Sequence, residues 1–487
     1  MERPPVTVVL GHIDHGKSTL LDYIRKTKIA EDEAGGITQE VKAYEITHHD
    51  KHITFIDTPG HEAFSSMREH GAAAADIAIL VVSAEDGVKS QTLEAKIAIE
   101  KNYLPYLVAI SKIDKPNANP ERVKQNLLEN GILLEGLGGP VPWVTISAKT
   151  GEGISELLDL LLILAEVTGL KKDDDSPASG SANGFILEAR IDSKKGIVAD
   201  AIVRSGTLRR GDYLTLNSEC FRIRKLENFL CQDVVELSAG RPAVIYGWNA
   251  VPAAGARWHS SKDKTEGSPL QIPKDYPQKP LAEDSNEIIV PLVIKTDTLG
   301  TLAAIKKEIQ KLLVPSIKIQ ILAAGVGAIT ENDAKLASAD RDIIVVGFNV
   351  KIEPAAKNLA VKHKITQATF DIIYKLSEWL EAELDKRRPI VETKMVLGTV
   401  KIIKLFSQTK DKQIVGGLVL DGRIAAGRSA SIKRRESLLG EGEILELRER
   451  QTKINEVEKG KQFGALVRSR HFLAPGDLLE IFQIEKK

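Results

Sequence analysis

Cysteine is nearly absent from this chain. Cys220 and Cys231 are the only two in 487 residues, too few for a disulfide framework and suited to a reducing compartment. Aromatic residues make up only 5% of the sequence. Net charge is absent too, with 67 Lys+Arg against 67 Asp+Glu, so no bulk field of one sign recruits a polyanion or polycation. No apolar run approaches the ~20 residues that cross a bilayer. The opening M-E-R-P-P lacks the apolar stretch of a signal peptide. The expectation is a cytoplasmic protein with no membrane partner. What is present is a 43% apolar composition, enough for ordinary cores, in a chain long enough for about three or four domains at ~150 residues each.

The most informative stretch is Val6 to Thr19, V-T-V-V-L-G-H-I-D-H-G-K-S-T. Val6 to Leu10 is a continuous apolar, β-branched run, and Leu20, Leu21 and Ile24 follow at helical spacing. A strand, a glycine-rich turn and a helix therefore succeed one another. From Gly11 to Ser18 the turn reads G-x-x-x-x-G-K-S, the spacing that wraps backbone N–H groups round a phosphate at a helix N-terminus. Gly11, His12, Ile13, Asp14, His15, Gly16, Lys17, Ser18 and Thr19 are the expected phosphate loop. Lys17 is expected at the β and γ phosphates and the Ser18 hydroxyl on magnesium.

Further pieces of one nucleotide site follow in order. Glu33 to Glu40, E-A-G-G-I-T-Q-E, reads as a mobile loop whose Thr38 offers a second hydroxyl to magnesium. Lys51 to Asp57 alternates as a strand and breaks into T-P-G-H at Thr58 to His61. Asp57 at that strand end is expected to hold magnesium through water, and Gly60 to present its N–H to the terminal phosphate. Ile77 to Val82, Tyr106 to Ile110 and Trp143 to Ile146 are further apolar strands separated by helical patterns. Such alternation implies a parallel, doubly wound sheet with its ligand at the carboxyl strand ends. Two of those ends carry Ser111, Lys112, Ile113, Asp114 and Ser147, Ala148, Lys149. A carboxylate at Asp114 can accept two hydrogen bonds from guanine's N1 and N2 edge, a donor pair that adenine lacks. Lys112 would lie along the base plane and the Ala148 N–H would face the guanine oxygen.

Beyond this region the pattern changes several times. Lys171 to Asn183 is a polar linker, and Phe185 to Lys262 carries short β-patterned runs between Gly turns, which suggests a small barrel. After a Pro-bearing linker, Ile288 to Phe348 returns to α/β alternation without a nucleotide loop. Thr366 to Lys386 has helical spacing through Phe370, Ile373, Leu376, Leu380 and Leu384, a reading of ~20 helical residues spanning ~30 Å. That helix either carries motion or simply packs. Pro389 to Lys487 is β-patterned again.

Together, G-H-I-D-H-G-K-S, G-G-I-T-Q, D-T-P-G-H, S-K-I-D and S-A-K-T-G-E-G-I resemble the translational GTPases. G-G-I-T-Q, V-P-L-V-I-K-T-D-T-L-G and G-V-G-A-I-T-E-N-D are similar to bacterial translation initiation factor two. The resemblance implies a multidomain α/β plus β chain: a P-loop GTPase domain at 1–170, a β-barrel at 184–267, an α/β/α domain at 286–362, a connecting helix at 363–388 and a C-terminal β-barrel at 389–487. It implies a monomer that binds GTP, GDP and magnesium, works with both ribosomal subunits and initiator tRNA, and hydrolyses GTP once the ribosome stimulates it. His61 takes the role of positioning the attacking water, and Ile13 and Ile37 match the apolar gate that holds it back.

The departures are specific. The family has Asn at the position of Ser111, where it contacts the base and braces the phosphate loop, and the shorter Ser is expected to weaken nucleotide affinity. In the last barrel the family's A-G-C reads Gly416, Gly417, Leu418, and its E-C-G reads Gln462, Phe463, Gly464. Both pocket cysteines are absent, so recognition of the formyl group is not carried over with the tRNA pocket. Lys433, Arg434, Arg435, Arg468 and Arg470 are candidate phosphate contacts there. The rival reading is a GTP-dependent ribosome-binding or assembly factor without initiator-tRNA recognition.

Overall fold

The computed structural model describes residues 3–26, 38–170, 181–192, 194–216, 219–264, 288–312, 317–338, 342–387, 392–409, 411–435, 437–449 and 452–486. They fall into two compact units, Met1–Arg387 and Arg388–Lys487.

Strand β1 (Val6–Gly11) is buried at every position, and burial on both faces is what calls for a continuous apolar run. With β2 (Lys42–His48), β3 (Lys51–Asp57), β4 (Ile77–Ser83), β5 (Tyr106–Ser111) and β6 (Trp143–Thr145) it forms a sheet of order β2-β3-β1-β4-β5-β6. Only the β2–β3 hairpin is antiparallel. Side chains of β1 alternate between two cores: Val6, Val8 and Leu10 join one, Val9 the other. Helices α1 (Lys17–Arg25), α2 (Ser65–Ala74), α3 (Ser90–Lys101), α4 (Pro120–Glu129) and α5 (Ile154–Thr168) supply the rest of those cores. The sheet is thereby covered on both faces, and the carboxyl ends of its parallel strands share one edge.

Next comes a seven-stranded antiparallel sheet built round the hairpin of Asn183–Asp192 and Gly196–Ser205. Its own core includes the fully buried Trp258. A four-stranded parallel sheet follows, in the order Ile317–Val326, Ile288–Thr296, Ile344–Phe348, Thr366–Phe370. It carries α6 (Leu299–Lys311), α7 (Glu331–Ser338), α8 (Pro354–His363) and α9 (Ile373–Asp385).

Here the structure corrects the expected single helix over 363–388. Thr366–Phe370 is the edge strand of that sheet; it separates the helix that ends at His363 from the helix Ile373–Asp385. The β-branched and aromatic residues of T-Q-A-T-F favour the strand. Phe370 belongs to it, while Ile373, Leu376, Leu380 and Leu384 are the buried stripe of α9. The helical spacing that began at Phe370 ran across a chain reversal.

The second unit is a closed ring of six strands: Glu392–Gln408, Leu478–Lys486, Ser429–Arg434, Ser437–Glu449, Gln462–Ser469 and Lys412–Ala425, the last pairing back on the first. Closure leaves the ring without free edges. Ser437–Glu449 forms its strand although Gly440 and Gly442 interrupt the alternation of its side chains.

Candidate functional site

Between β1 and α1 the backbone turns through Gly16 at φ 86°, a conformation that L side chains avoid. The loop so formed directs its residues at a cavity of about 310 Å³ lined by Ile13, Asp14, Gly16, Lys17, Ser18, Thr19, Thr38, Gly60, His61, Lys112 and Tyr374. Lys17 is 6% exposed. Its Nζ donates to the His12 carbonyl at 2.6 Å. Burial pulls its pKa down to about 8, against the opposing pull of Asp57. Gly60 lies so close that a Cβ there would stand 2.5 Å from Lys17 Nζ. Ser18 Oγ and Thr38 Oγ1 are 2.7 Å apart. Two adjoining hydroxyls offer oxygen donors of the kind a small hard cation takes.

Gly11, His12 and His15 belong to the loop but do not line the cavity. The buried His15 donates from Nδ1 to the Val81 carbonyl across 3.3 Å, and burial lowers its pKa to about 4, so it is neutral at physiological pH. The shorter side chain at Ser111 has not cost the loop its brace. Ser111 Oγ donates to the His15 carbonyl at 2.5 Å, so a hydroxyl ties the end of β5 to the phosphate loop.

At the ends of β5 and β6, Ser147 Oγ donates to Asp114 Oδ1 at 2.7 Å. That hydrogen bond is the main reason the Asp114 carboxyl titrates below the usual carboxylate range. The group is therefore an ionised acceptor at neutral pH. Ala148 is half-buried and Lys149 exposed beside it.

His61 is 7% exposed. Its Nδ1 accepts the Ala63 N–H at 2.9 Å, which leaves the proton of the neutral ring on Nε2. Burial, the largest cause, lowers its pKa; nearby Glu308 opposes this and Lys311 adds to it. Ile13 shares the cavity wall with His61. Ile37, the other expected gate residue, lies outside the described residues.

Three contributors gave no signal as single residues in the sequence. Arg68, buried on α2, donates to the Pro59, Gly60 and His61 carbonyls at 3.2, 3.3 and 2.5 Å and pairs with Glu94. It fixes the backbone that presents Gly60 and His61. Gln91 Oε1 accepts from the Ile13 N–H at 3.0 Å. Tyr374 reaches the cavity from α9.

The second unit carries a cavity of about 670 Å³ lined by Ile403, Lys404, Phe406, Gly416, Gly417, Arg448, Glu449, Lys461, Gln462, Phe463 and Gly464. Its floor is set by register, with Gly416 opposite Gly464 and Gly417 opposite Phe463. Leu418, expected with Gly416 and Gly417 in the tRNA pocket, pairs with Gln462 but does not belong to the lining. Phe463 is largely core, 4% exposed, whereas Phe406 is 61% exposed and lies over Gly416. Three of the expected phosphate contacts are held by carboxylates: Lys433 by Glu480, Arg434 by the buried Asp477, and Arg468 by Glu443. Arg435 and Arg470 are exposed.

Residues 3–166 match the Elongation factor Tu GTP binding domain, 181–261 match Elongation factor G domain 2, and 278–381 match Translation-initiation factor 2. The Translation initiation factor IF-2 of Anoxybacillus flavithermus is 38% identical over 100% of this chain and 69% of its own length. That of Nitratiruptor sp. is 39% identical over 99% of this chain, which spans 59% of that protein's length. The solved structure of GDP-bound aIF5B from Aeropyrum pernix is 26% identical, with a TM-score of 0.46 covering 100% of this chain and 92% of that one. With a GTP-binding domain at its start and relatives aligned along nearly all of its length, the chain belongs to the translation initiation factor IF-2 family of translational GTPases.

Proposed function

We propose that this chain is a GTP-switched initiation factor that, in its GTP form, promotes initiator tRNA binding and ribosomal subunit joining, then hydrolyses GTP on the ribosome and leaves it. The observation that carries the reading is the gathering on one sheet edge of a buried phosphate-loop lysine, two adjoining hydroxyls and an ionised carboxylate suited to guanine. Phosphoryl transfer to water asks little covalent chemistry of the protein, so catalysis is positioning and charge neutralisation. Lys17 neutralises the β and γ phosphates, the loop N–H groups bind them, and Gly60 senses the third phosphate through its N–H. Ser18, Thr38 and Asp57 would hold magnesium, which supplies further neutralisation of the phosphate oxygens. Loss of the third phosphate frees Thr38 and Gly60, which makes the site a switch. His61, neutral and carrying its proton on Nε2, orients the attacking water once released from its present contacts.

The second-unit cavity is the proposed seat of the aminoacyl end of initiator tRNA, with Phe406 and Phe463 as its apolar surface and Gly416, Gly417, Gln462 and Gly464 as its floor. Filter binding of formylated, unformylated and uncharged initiator tRNA to the full chain with GTP tests this. Preference for either methionylated form supports the reading. Equal weak binding of all three favours a GTP-dependent ribosome-binding or assembly factor instead.

A further inference from the structure

Helix α9 meets the nucleotide site at its first turn. Its own stripe, Ile373, Leu376, Leu380 and Leu384, is buried in the core and anchors it. Tyr374 is not part of that stripe. It is 46% exposed, lines the nucleotide cavity, and sets its ring against His61 with centroids 4.5 Å apart and planes at 66°. Phe64 meets the same imidazole from another side, centroids 5.9 Å apart. The turn that carries Tyr374 is tied to the loop that carries Thr38. Gln39 Nε2 donates to the Asp371 carbonyl at 2.8 Å and Gln39 Oε1 accepts the Ile373 N–H at 3.3 Å. One amide side chain thus engages both polar groups flanking the start of α9.

We propose that Tyr374 is a positioning residue for His61: its ring latches the imidazole in the clasped state, and Gln39 holds that latch against the nucleotide site. The inference rests on His61 orienting the attacking water. In the clasped state Nδ1 is spent on the Ala63 N–H and the ring is walled by two aromatics. Swinging His61 toward a water requires leaving Tyr374. Gln39 adjoins Thr38, so a change at the third phosphate reaches the latch through one residue. The phenol hydroxyl takes no part, since the contact uses the ring.

Variants of the full chain test this. Single-turnover GTP hydrolysis by the factor alone should rise about threefold to tenfold in Tyr374→Ala, the weight of one edge-to-face contact, with GTP affinity unchanged within about twofold. Gln39→Ala should rise by less, and Tyr374→Phe should match the wild type. The gain should vanish in Tyr374→Ala/His61→Ala. Tyr374→Leu, which keeps apolar bulk without the ring, should show the same gain where Ala loosens the helix. By NMR of histidine-labelled protein, the His61 pKa should move up toward its ordinary value in Tyr374→Ala. Unchanged or slower hydrolysis in both Tyr374→Ala and Tyr374→Leu, at normal GTP affinity, overturns the latch. A gain that survives loss of His61 does so too. Normal ribosome-stimulated turnover in His61→Ala alone instead overturns the underlying role of His61, and this inference with it.

Discussion

The two cavities of this chain hold their residues by different means. In the nucleotide site, backbone geometry fixed by a short run of sequence does most of the work. Gly16 adopts φ 86°, Lys17 bonds the loop's own carbonyl, and the loop lies between neighbours on one sheet. In the C-terminal barrel the cavity exists only because two distant strands pair in one register and bring Gly416 and Gly417 opposite Gly464 and Phe463. The first cavity tolerates a departure, since Ser111 still braces the loop. The second depends on register between distant strands, so its lining follows whichever residues that pairing places opposite one another.

Five measurements would break or sharpen that contrast. The largest effect is expected at His61: in His61→Ala, ribosome-stimulated GTP turnover should fall on the order of 10²–10⁴-fold, with equilibrium GTP binding nearly unchanged. Next, Asp114→Asn should weaken GTP by about 10- to 100-fold, the weight of a charge-assisted hydrogen bond, and improve xanthosine nucleotides. Undiminished guanine preference in competition titrations means the base is read elsewhere.

A pH effect follows from Lys17, whose pKa burial holds at about 8 without ligand. Phosphate favours the protonated amine, so binding takes up a proton above that pH. GTP affinity should then be flat below pH 8 and fall by up to roughly tenfold per pH unit above it. A flat profile to pH 9.5 in calorimetry contradicts the buried, unneutralised lysine. In the barrel, Phe406→Ala should cost about fivefold in methionyl-tRNA binding, as one partly buried aromatic surface is lost, and leave GTP affinity untouched. A change in both would show that the cavities are not independent. The smallest effect belongs to Ser111→Ala. Losing one hydrogen bond of ~1 kcal/mol predicts about fivefold weaker nucleotide, and an unchanged value would mean the brace is dispensable.

Much of the first site was legible in order along the chain because each element is local: a strand, a turn of fixed spacing and a helix. Ser147 was read as part of a base-facing tripeptide, but its hydroxyl bond to Asp114 is a tertiary fact. Arg68, Gln91 and Tyr374 could not be read, since each reaches the site from an element whose packing no local spacing encodes. G-G-I-T-Q did mark the neighbourhood of Gln39. The helix expected over 363–388 went wrong for a physical reason. A strand and a helix placed end to end mimicked one apolar period, and pairing of Thr366–Phe370 with Ile344–Phe348 separated them.

By itself, then, the sequence determined the glycine-rich loop between β1 and α1 and the alternation that makes the first sheet parallel, because backbone turns and strand ends are properties of contiguous residues. Only the tertiary structure decided that Tyr374 stands against His61, that Gln39 ties one loop to a helix more than 300 residues away, and that Leu418 is left outside the barrel cavity. Those facts arise from register and packing between segments far apart in the chain, where neither partner carries any mark of the other.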